Sequence, residues 1–435
     1  MRSLTLCGLW VTLWLSSACG IIPTPAPPVS PTADPTPSAT ADVQALTPIP
    51  TVETTQTPPE TLKLWWPDAL LPTGESAESL TLLNSQIAAF TAEEGVIVET
   101  RLKHVRDAGS ITSSLRSAQG VAPGVIPDLT LLRREDLALV AQQGVIFPLE
   151  GSISSVILAD LYPSVLELGQ VDGTLYGLPF TIETQHVVYD PATTPPLDAN
   201  LNTYLEHDAQ LIFSASRATN GVNSVFFTQY LLELGLNATT GSIPLEADAL
   251  EQTLMLYQTG RDAGTFPPQI LNYAAPEDYF GLIGRADFVG GLIVSGNQYW
   301  ANPSWSDNYD YVSIPTGSGM PTTTLNGWMW VLTTNDPNRR ERAAAFLRWM
   351  MAAERQGEYL RTLNQLPSQR AAVRLGYSED YDRFTATLME NAVLPLVDAS
   401  GSPNARALQT ALLSVLSGEE NAQQATLDAL AQASS

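Results

Sequence analysis

The chain has 435 residues, of which 44% are hydrophobic and 8% aromatic, and it carries a formal net charge of −24 at pH 7. This composition is typical of a globular protein and excludes a chain that is disordered throughout. The acidic balance argues against a nucleic-acid partner, which would need a basic surface. The only two cysteines, Cys7 and Cys19, are too few for a zinc site built from thiolates.

The chain begins with the pattern of a secretory signal peptide. Arg2 is the only charge before the apolar run 4–18, which is shorter than the roughly 20 residues of a membrane span. Small residues precede Cys19, as in a bacterial lipobox, although Ser16 stands where that motif usually has Leu. We predict a lipoprotein signal peptide at 1–18 and lipid attachment, with palmitate, at Cys19. An ordinary signal peptide with an incidental cysteine is the alternative.

Residues 19–60 are predicted to form a disordered tether rich in Pro and Thr. The stretch 20–60 contains eleven Pro, eleven Ser or Thr and no aromatic residue. Such a chain is extended and does not build a core. Beside a lipid-modified cysteine, the tether would hold a folded domain away from the membrane. We therefore expect membrane contact through the lipid anchor only.

From residue 61 onwards the hydrophobic pattern alternates between strands and helices. Strands are predicted at 62–66, 96–100 and 127–132, and helices at 79–94, 111–118 and 135–143. This order favours an α/β fold with a largely parallel sheet. Such sheets bind ligands in the loops after the carboxyl ends of strands, which here are residues 66–68 and 133–136.

Further strands and helices are predicted in the rest of the chain. The strands are 187–189, 290–294 and 326–332, and the helices are 222–235, 246–263, 338–353, 354–363, 380–391, 404–417 and 420–433. The stretch 61–435 is too long for one usual hydrophobic core, so we expect two lobes.

Three stretches carry a resemblance to a known family. They are residues 127–149, the segment 172–180 with the pattern Asp-Gly-x-x-Tyr-Gly-x-Pro, and residues 326–367, where a Gly-Trp strand precedes a helix and Leu366-Pro367. In this order they resemble the family 1 extracellular solute-binding proteins of ABC importers, the maltose-binding-protein-like group. The resemblance extends over 62–433.

The resemblance implies a periplasmic-binding-protein-like fold of type II. In such a fold, two lobes with mixed sheets flanked by helices are hinged around a central ligand cleft. The solute-binding domain would be 61–435. The first lobe would comprise 61–180 and 318–350, and the second lobe 181–317 and 351–435. The chain would cross between the lobes near 179–181, 314–319 and 335–353.

Eight residues are candidate ligand contacts, and four of them are tryptophans. Aromatic faces are the usual platform for sugar rings, whose C–H faces are apolar. Trp65 and Trp66 are neighbours on one strand, so one is expected in the cleft and the other in the core. Trp300 stands where the family often has a ring stacked on its ligand, and Trp328, next to Gly327, is the cleft candidate of its strand. Trp330 lies on the same strand face as Trp328 and is the better core candidate.

The other four candidates are the acids Asp68, Glu135, Asp136 and Glu183. By resemblance they would accept hydrogen bonds from sugar hydroxyls. Asp68 also fits a solvated loop acid, and Glu135 and Asp136 also fit a favourable interaction with a helix N-terminus. Of the basic residues near these loops, only Arg133 and Arg134 are cleft candidates, which argues against an anionic ligand.

No catalytic or metal site is predicted. His104, His186 and His207 are far apart and have no ligand-like spacing. The chain lacks a Gly-x-Ser-x-Gly motif, a phosphate loop and a dinucleotide fingerprint. We therefore expect a protein that is not an enzyme and has no cofactor.

The function implied is that of a monomeric, lipid-anchored receptor on the extracytoplasmic face of the cell membrane. It would capture a small solute, with a carbohydrate favoured, and deliver it to the membrane subunits of an ABC permease. The alternatives are a peptide, a polyamine or another small solute as ligand, and a sensory partner of a membrane kinase. An exported glycan-active enzyme is the remaining alternative.

Overall fold

The computed structural model describes residues 60–71, 77–106, 109–218, 221–238, 243–394 and 402–433. The predicted signal peptide 1–18, the lipid site Cys19 and the tether up to residue 59 lie outside these ranges. No helix within them is long and apolar enough to cross a membrane.

The strands, numbered in chain order, are β1 Thr61–Pro67, β2 Ile97–Lys103, β3 Leu129–Arg133, β4 Gln170–Val171, β5 Thr174–Leu175, β6 Gly177–Pro179, β7 Thr181–Ile182, β8 Gln185–Tyr189, β9 Gln210–Ile212, β10 Gly290–Ser295, β11 Asp310–Ser313, β12 Trp328–Leu332 and β13 Leu366–Pro367. They form a five-stranded sheet, a four-stranded sheet and two short pairs.

The helices are α1 Ala77–Glu94, α2 Ile111–Val121, α3 Arg134–Gln142, α4 Ser155–Ala159, α5 Pro163–Leu168, α6 Leu201–Glu206, α7 Ser224–Glu233, α8 Ala247–Ala263, α9 Gly296–Trp300, α10 Trp305–Asn308, α11 Pro337–Met350, α12 Ala353–Thr362, α13 Arg370–Gly376, α14 Glu379–Glu390, α15 Pro403–Ser417 and α16 Ala422–Ala433.

The five-stranded sheet has the order β2-β1-β3-β12-β6. Strand β1 is parallel to β2 and to β3, whereas β12 is antiparallel to β3 and to β6. The prediction of a largely parallel sheet is therefore correct for β1 to β3 and wrong for β12. The chain enters β12 at the edge where β3 ends, so β12 runs in the opposite direction.

The four-stranded sheet has the order β11-β8-β10-β9. Strand β8 is antiparallel to β10 and β11, and β9 is parallel to β10. The two sheets are thus both mixed. The carboxyl ends of β9 and β10 place Phe213, Ser214 and Ser295 at one cavity, which also receives the end of β3 at Arg133.

Two chain segments connect the two sheets and pair with each other. We call residues 180–184 and 324–327 the crossing segments. The amide of Glu183 donates to the carbonyl of Asn326 at 2.7 Å, and the reverse bond measures 3.0 Å. Strand β7, within the first segment, also pairs with β13. The first segment lies at the predicted crossing near 179–181.

Aromatic residues form the core behind the five-stranded sheet. Trp66 and Trp330 are fully buried, with ring centroids 5.5 Å apart, and Tyr359 of α12 lies 5.7 Å from Trp66. The Tyr359 hydroxyl donates to the carbonyl of Leu70 at 2.6 Å. Helix α12 was assigned to the second lobe from the sequence, but it packs against the first-lobe elements. The other lobe bounds remain a prediction.

Candidate ligand-binding site

A cavity of about 650 Å³ lies between the ends of the two sheets. The five-stranded sheet and α3 contribute Arg133, Glu135, Asp136 and Trp328. The four-stranded sheet and its loops contribute, among others, Phe213, Asn223, Tyr279, Ser295 and Gln298. The crossing segments supply Glu183, Thr184, Thr324 and Asn326. The volume is within the usual range of about 300–1,000 Å³ for sites of small molecules.

Arg133 and Glu183 form an ion pair in the cavity wall. Both terminal nitrogens of the guanidinium donate to the Glu183 carboxylate, and the Nη2–Oε2 distance is 2.9 Å. The two side chains remain 22% and 28% exposed, so both face the cavity. Burial alone would lower the pKa of Arg133, but the Glu183 and Glu135 carboxylates raise it above its ordinary value.

Two more residues close a ring with this pair. Arg133 Nε lies 3.5 Å from Glu135 Oε1, and the Asn326 amide donates to Glu135 Oε2 at 3.3 Å. Asn326 in turn exchanges backbone hydrogen bonds with Glu183. We call Arg133, Glu135, Glu183 and Asn326 the carboxylate ring. It presents two carboxylates and an amide side by side.

Trp328 lies next to the carboxylate ring. It is the first residue of β12 and lines the cavity with the 5% of its surface that is exposed, and its indole ring is 5.4 Å from the Arg133 guanidinium carbon. Its amide donates to Thr181 Oγ1 at 3.1 Å. Trp330, two residues on, is fully buried in the core.

Asp136 is the third acid of this wall. Burial raises its pKa, and the neighbouring Glu135 carboxylate adds to the rise, while a hydrogen bond with Thr112 and the charge of Arg133 oppose it. Burial and the neighbouring charge thus favour the neutral form of this carboxyl more than water does.

The opposite wall is organised by the start of α7. The Asn223 side chain caps this helix by accepting from the amides of Val225 and Phe226. Its Nδ2 donates to the carbonyls of Ser214 and Arg217, which holds the turn after β9 against the helix. Phe213, Asn223 and Tyr279 all line the cavity. They come from three separate stretches, and no local pattern marks them as neighbours.

Four of the eight candidates line the cavity: Glu135, Asp136, Glu183 and Trp328. The sequence identified Glu135 and Asp136 because they follow the end of β3. It identified Glu183 from the first crossing and Trp328 from the Gly-Trp strand. Whether they contact a ligand stays a prediction.

The remaining four candidates lie outside the cavity lining. Trp66 is fully buried, and its indole donates to the carbonyl of Leu70 at 3.2 Å. Trp65 is 4% exposed beneath Lys103, whose Nζ is 4.3 Å from the ring. The expectation that one of the two opens to the cleft is wrong, because neither side chain lines the cavity and both faces of β1, which lies between β2 and β3, are covered.

Asp68 and Trp300 are also directed elsewhere. Asp68 pairs with His104 at 2.7 Å on the surface. Trp300 packs against Tyr377 and Tyr381, with centroids 4.8 and 4.9 Å away. Gln298 and Trp300 are two residues apart in the short helix α9, so their side chains point to opposite sides. Gln298 lines the cavity, and Trp300 therefore points away from it.

The two arginines expected in the cleft have different surroundings. Arg134 is buried and donates to the carbonyls of Glu167, Leu168 and Gln170, so it is a structural residue. Arg133 faces the cavity with its charge paired. Among the residues that the structure describes, no three His, Cys, Asp or Glu side chains lie close enough to hold a metal ion.

Comparison with known proteins identifies the family. A model of the bacterial extracellular solute-binding protein family matches residues 85–386. The chain belongs to this family. The match confirms the family expected from the three sequence stretches. No curated protein sequence gave a significant match to this solute-binding protein.

Solved structures with the same fold have low sequence identity. The cyclic alpha-maltosyl-1,6-maltose binding protein from Arthrobacter globiformis aligns with a TM-score of 0.67 at 15% identity, covering 86% of this chain and 98% of its own. MalE from Listeria monocytogenes, in complex with maltose, gives 0.64 at 13% identity, covering 87% and 97%. A solute-binding protein from Thermotoga lettingae, bound with alpha-D-tagatose, gives 0.57 at 18% identity, covering 86% and 99%.

At these identities the likeness concerns the fold. It confirms the expected α/β architecture of the periplasmic-binding-protein type, with two lobes and mixed sheets. In this solute-binding protein the cavity with the carboxylate ring lies between the two sheets.

Proposed function

We propose that this solute-binding protein captures a carbohydrate outside the cytoplasm and delivers it to the membrane subunits of an ABC importer. In this proposal it is a monomer without catalytic activity or cofactor. The lipid on Cys19 anchors it to the extracytoplasmic face of the cell membrane, and the tether 19–60 gives the domain room to reorient.

The observation that carries the carbohydrate proposal is the position of Trp328 beside the carboxylate ring. A sugar has an apolar C–H face, which suits an aromatic ring, and a rim of hydroxyls, which suits charged hydrogen-bond acceptors. The wall offers both within one cavity. The sugars named for the three proteins compared above are ligands of those proteins, and they support this class of ligand here.

Binding would act through a shift between lobe arrangements. A solute that touches both walls interacts more strongly with a closed arrangement than with an open one, and it therefore favours closure. Closure is the signal that a permease is proposed to read.

The test is a thermal-shift screen with neutral mono- and oligosaccharides, short peptides and polyamines. A ligand of the folded state raises the melting temperature once its concentration exceeds Kd. We expect a sugar to give the largest rise. A rise with a polyamine or a peptide and none with any sugar would replace the carbohydrate by that class, and turnover of a glycan would indicate an enzyme.

Trp328→Ala tests whether the Trp328 ring packs against the sugar. For the sugar found in the screen, we expect Kd to increase at least about tenfold in titration calorimetry, because a ring that covers the ligand is lost. Trp300→Ala is the matched control, since Trp300 lies outside the cavity lining, and its Kd should stay within about twofold of the wild type. Equal losses in both variants would contradict the assignment of Trp328.

A further inference from the structure

Arg133 has its charge paired within the protein. Its two terminal nitrogens donate to the Glu183 carboxylate, and its Nε faces Glu135 at 3.5 Å. Two carboxylates neutralise the charge of this guanidinium, so it attracts an anionic solute weakly, although two of its five N–H groups are outside these contacts. The paired charge in the cavity wall therefore points to a role other than anion binding.

The contacts of Arg133 connect three parts of the chain. Arg133 ends β3 and Glu135 lies in the first turn of α3, both on the first-lobe side. Glu183 and Asn326 belong to the two crossing segments and hold each other by backbone bonds of 2.7 and 3.0 Å. Through the carboxylate ring, the first lobe thus contacts both crossing segments at the floor of the cavity.

We propose that Arg133 is a positioning residue, which holds the Glu183 and Glu135 carboxylates as fixed acceptors for the solute and couples the cavity to both crossing segments. This rests on the proposed function, in that the solute binds in this cavity. Glutamate side chains are long, and ordering them on binding weakens affinity unless they are already held in place. The two-point bond to Arg133 orders Glu183 before the solute arrives.

The first experiment measures affinity in a double-mutant cycle of Arg133→Met and Glu183→Gln. The probe is the sugar that gives the largest thermal shift in the screen. We expect Arg133→Met to raise Kd about tenfold in the wild-type background and about threefold in the Glu183→Gln background, where only its contact with Glu135 remains. Arg133→Lys keeps the charge without the fork and should lie between wild type and Arg133→Met.

Affinity in Arg133→Met equal to that of the wild type would overturn the proposal. Losses that multiply independently in the double variant would overturn it as well, since they would show that Arg133 does not act through Glu183. Arg340→Met is the matched control. Arg340 is partly buried in the first lobe and donates to the Pro148 carbonyl and the Ser152 hydroxyl, outside the cavity lining.

The second experiment needs no ligand. Amide hydrogen exchange of the crossing segments is measured by mass spectrometry in the wild type, Arg133→Met and Arg340→Met. We expect exchange about tenfold faster in Arg133→Met for peptides containing the amides of Glu183 and Asn326, with the rest of the chain unchanged. Unchanged exchange there would overturn the coupling to the crossing segments.

The two experiments separate this proposal from the proposed function. If no sugar binds the wild type, the carbohydrate function fails, while hydrogen exchange still decides the coupling role of Arg133. If Arg133→Met does not fold, Arg133→Lys takes its place in both experiments, with the same direction of change.

Discussion

His186 is a buried histidine that the cavity does not use. It lies in β8, and neither ring nitrogen has a hydrogen-bond partner among the residues that the structure describes. The rings of Tyr299, Phe384 and Tyr381 surround it with centroids 5.5, 5.6 and 6.2 Å away. Burial lowers the pKa of His186 to about 3, because a charged imidazolium loses its hydration there.

The lowered pKa of His186 predicts that the protein loses stability in mild acid. In the unfolded chain a histidine takes up a proton near pH 6.5, whereas in the folded chain His186 stays neutral down to about pH 3. The unfolded state therefore binds more protons between these values. The contribution of His186 to the free energy of unfolding therefore falls by about 1.4 kcal/mol per pH unit as the pH drops through this window.

The measurement compares urea unfolding of wild type and His186→Phe at pH 7 and pH 5. We expect the wild type to lose about 2 kcal/mol more than the variant between these two pH values. His207→Gln, which removes an exposed imidazole directly after α6, is the control for the loss of a histidine as such. The same pH slope in His186→Phe and in the wild type would contradict the assignment.

At the scale of elements, the crossing segments depend on one glycine. A Cβ atom on Gly327 would lie 2.0 Å from the carbonyl oxygen of Thr181. That oxygen belongs to the backbone of the other segment, so a rotamer change cannot relieve the contact. Gly327 therefore allows the close approach that the Glu183–Asn326 backbone pair needs.

Gly327→Ala should destabilise the fold by about 3 kcal/mol or more, because the two segments have to move apart. Gly120→Ala is the matched control. No atom lies within 4 Å of a Cβ at Gly120, which is in α2, so alanine should leave the stability unchanged or raise it by about 0.5 kcal/mol. Chemical unfolding checks both values, and a stable Gly327→Ala protein would show that the segments can separate at little cost.

The elements also show where sequence patterns are reliable. Hydrophobic spacing correctly predicted α1, α2 and α3, because each of these helices needs an apolar side toward the sheet. It did not predict α9 as a one-turn helix, and Trp300, which the resemblance places in the cleft, lies on the far side of that turn. The direction of a side chain on so short a helix is set by the capping bonds between Ser295 and Gln298, not by a repeat of apolar residues.

At the scale of the molecule, the cavity between two sheets predicts a change of shape on binding. If the solute contacts both walls, the closed arrangement gains stability, and the radius of gyration from small-angle X-ray scattering should fall when the sugar saturates the protein. Trp328→Ala at the same sugar concentration is the control and should remain closer to the ligand-free value. An unchanged radius in the saturated wild type would mean that binding does not close the lobes.

Local sequence patterns predict the class of fold, the family and four of the residues that line the cavity. Strand–helix alternation, the Asp-Gly-x-x-Tyr-Gly-x-Pro segment and the Gly-Trp strand are local patterns, and local spacing fixes secondary structure. Glu135, Asp136, Glu183 and Trp328 line the cavity because they follow the end of a strand or the lobe crossing, and such positions can be identified along the chain.

Only the tertiary structure decided what surrounds each side chain. It buried Trp66 under α12, covered Trp65 with Lys103 and turned Trp300 toward α14. It also joined Arg133 to Glu183, 50 residues away in the chain. Burial and ion pairing depend on residues that are distant in sequence, and no local pattern records which of them meet. For the same reason, the tryptophans were recognised from the sequence but their partners were not.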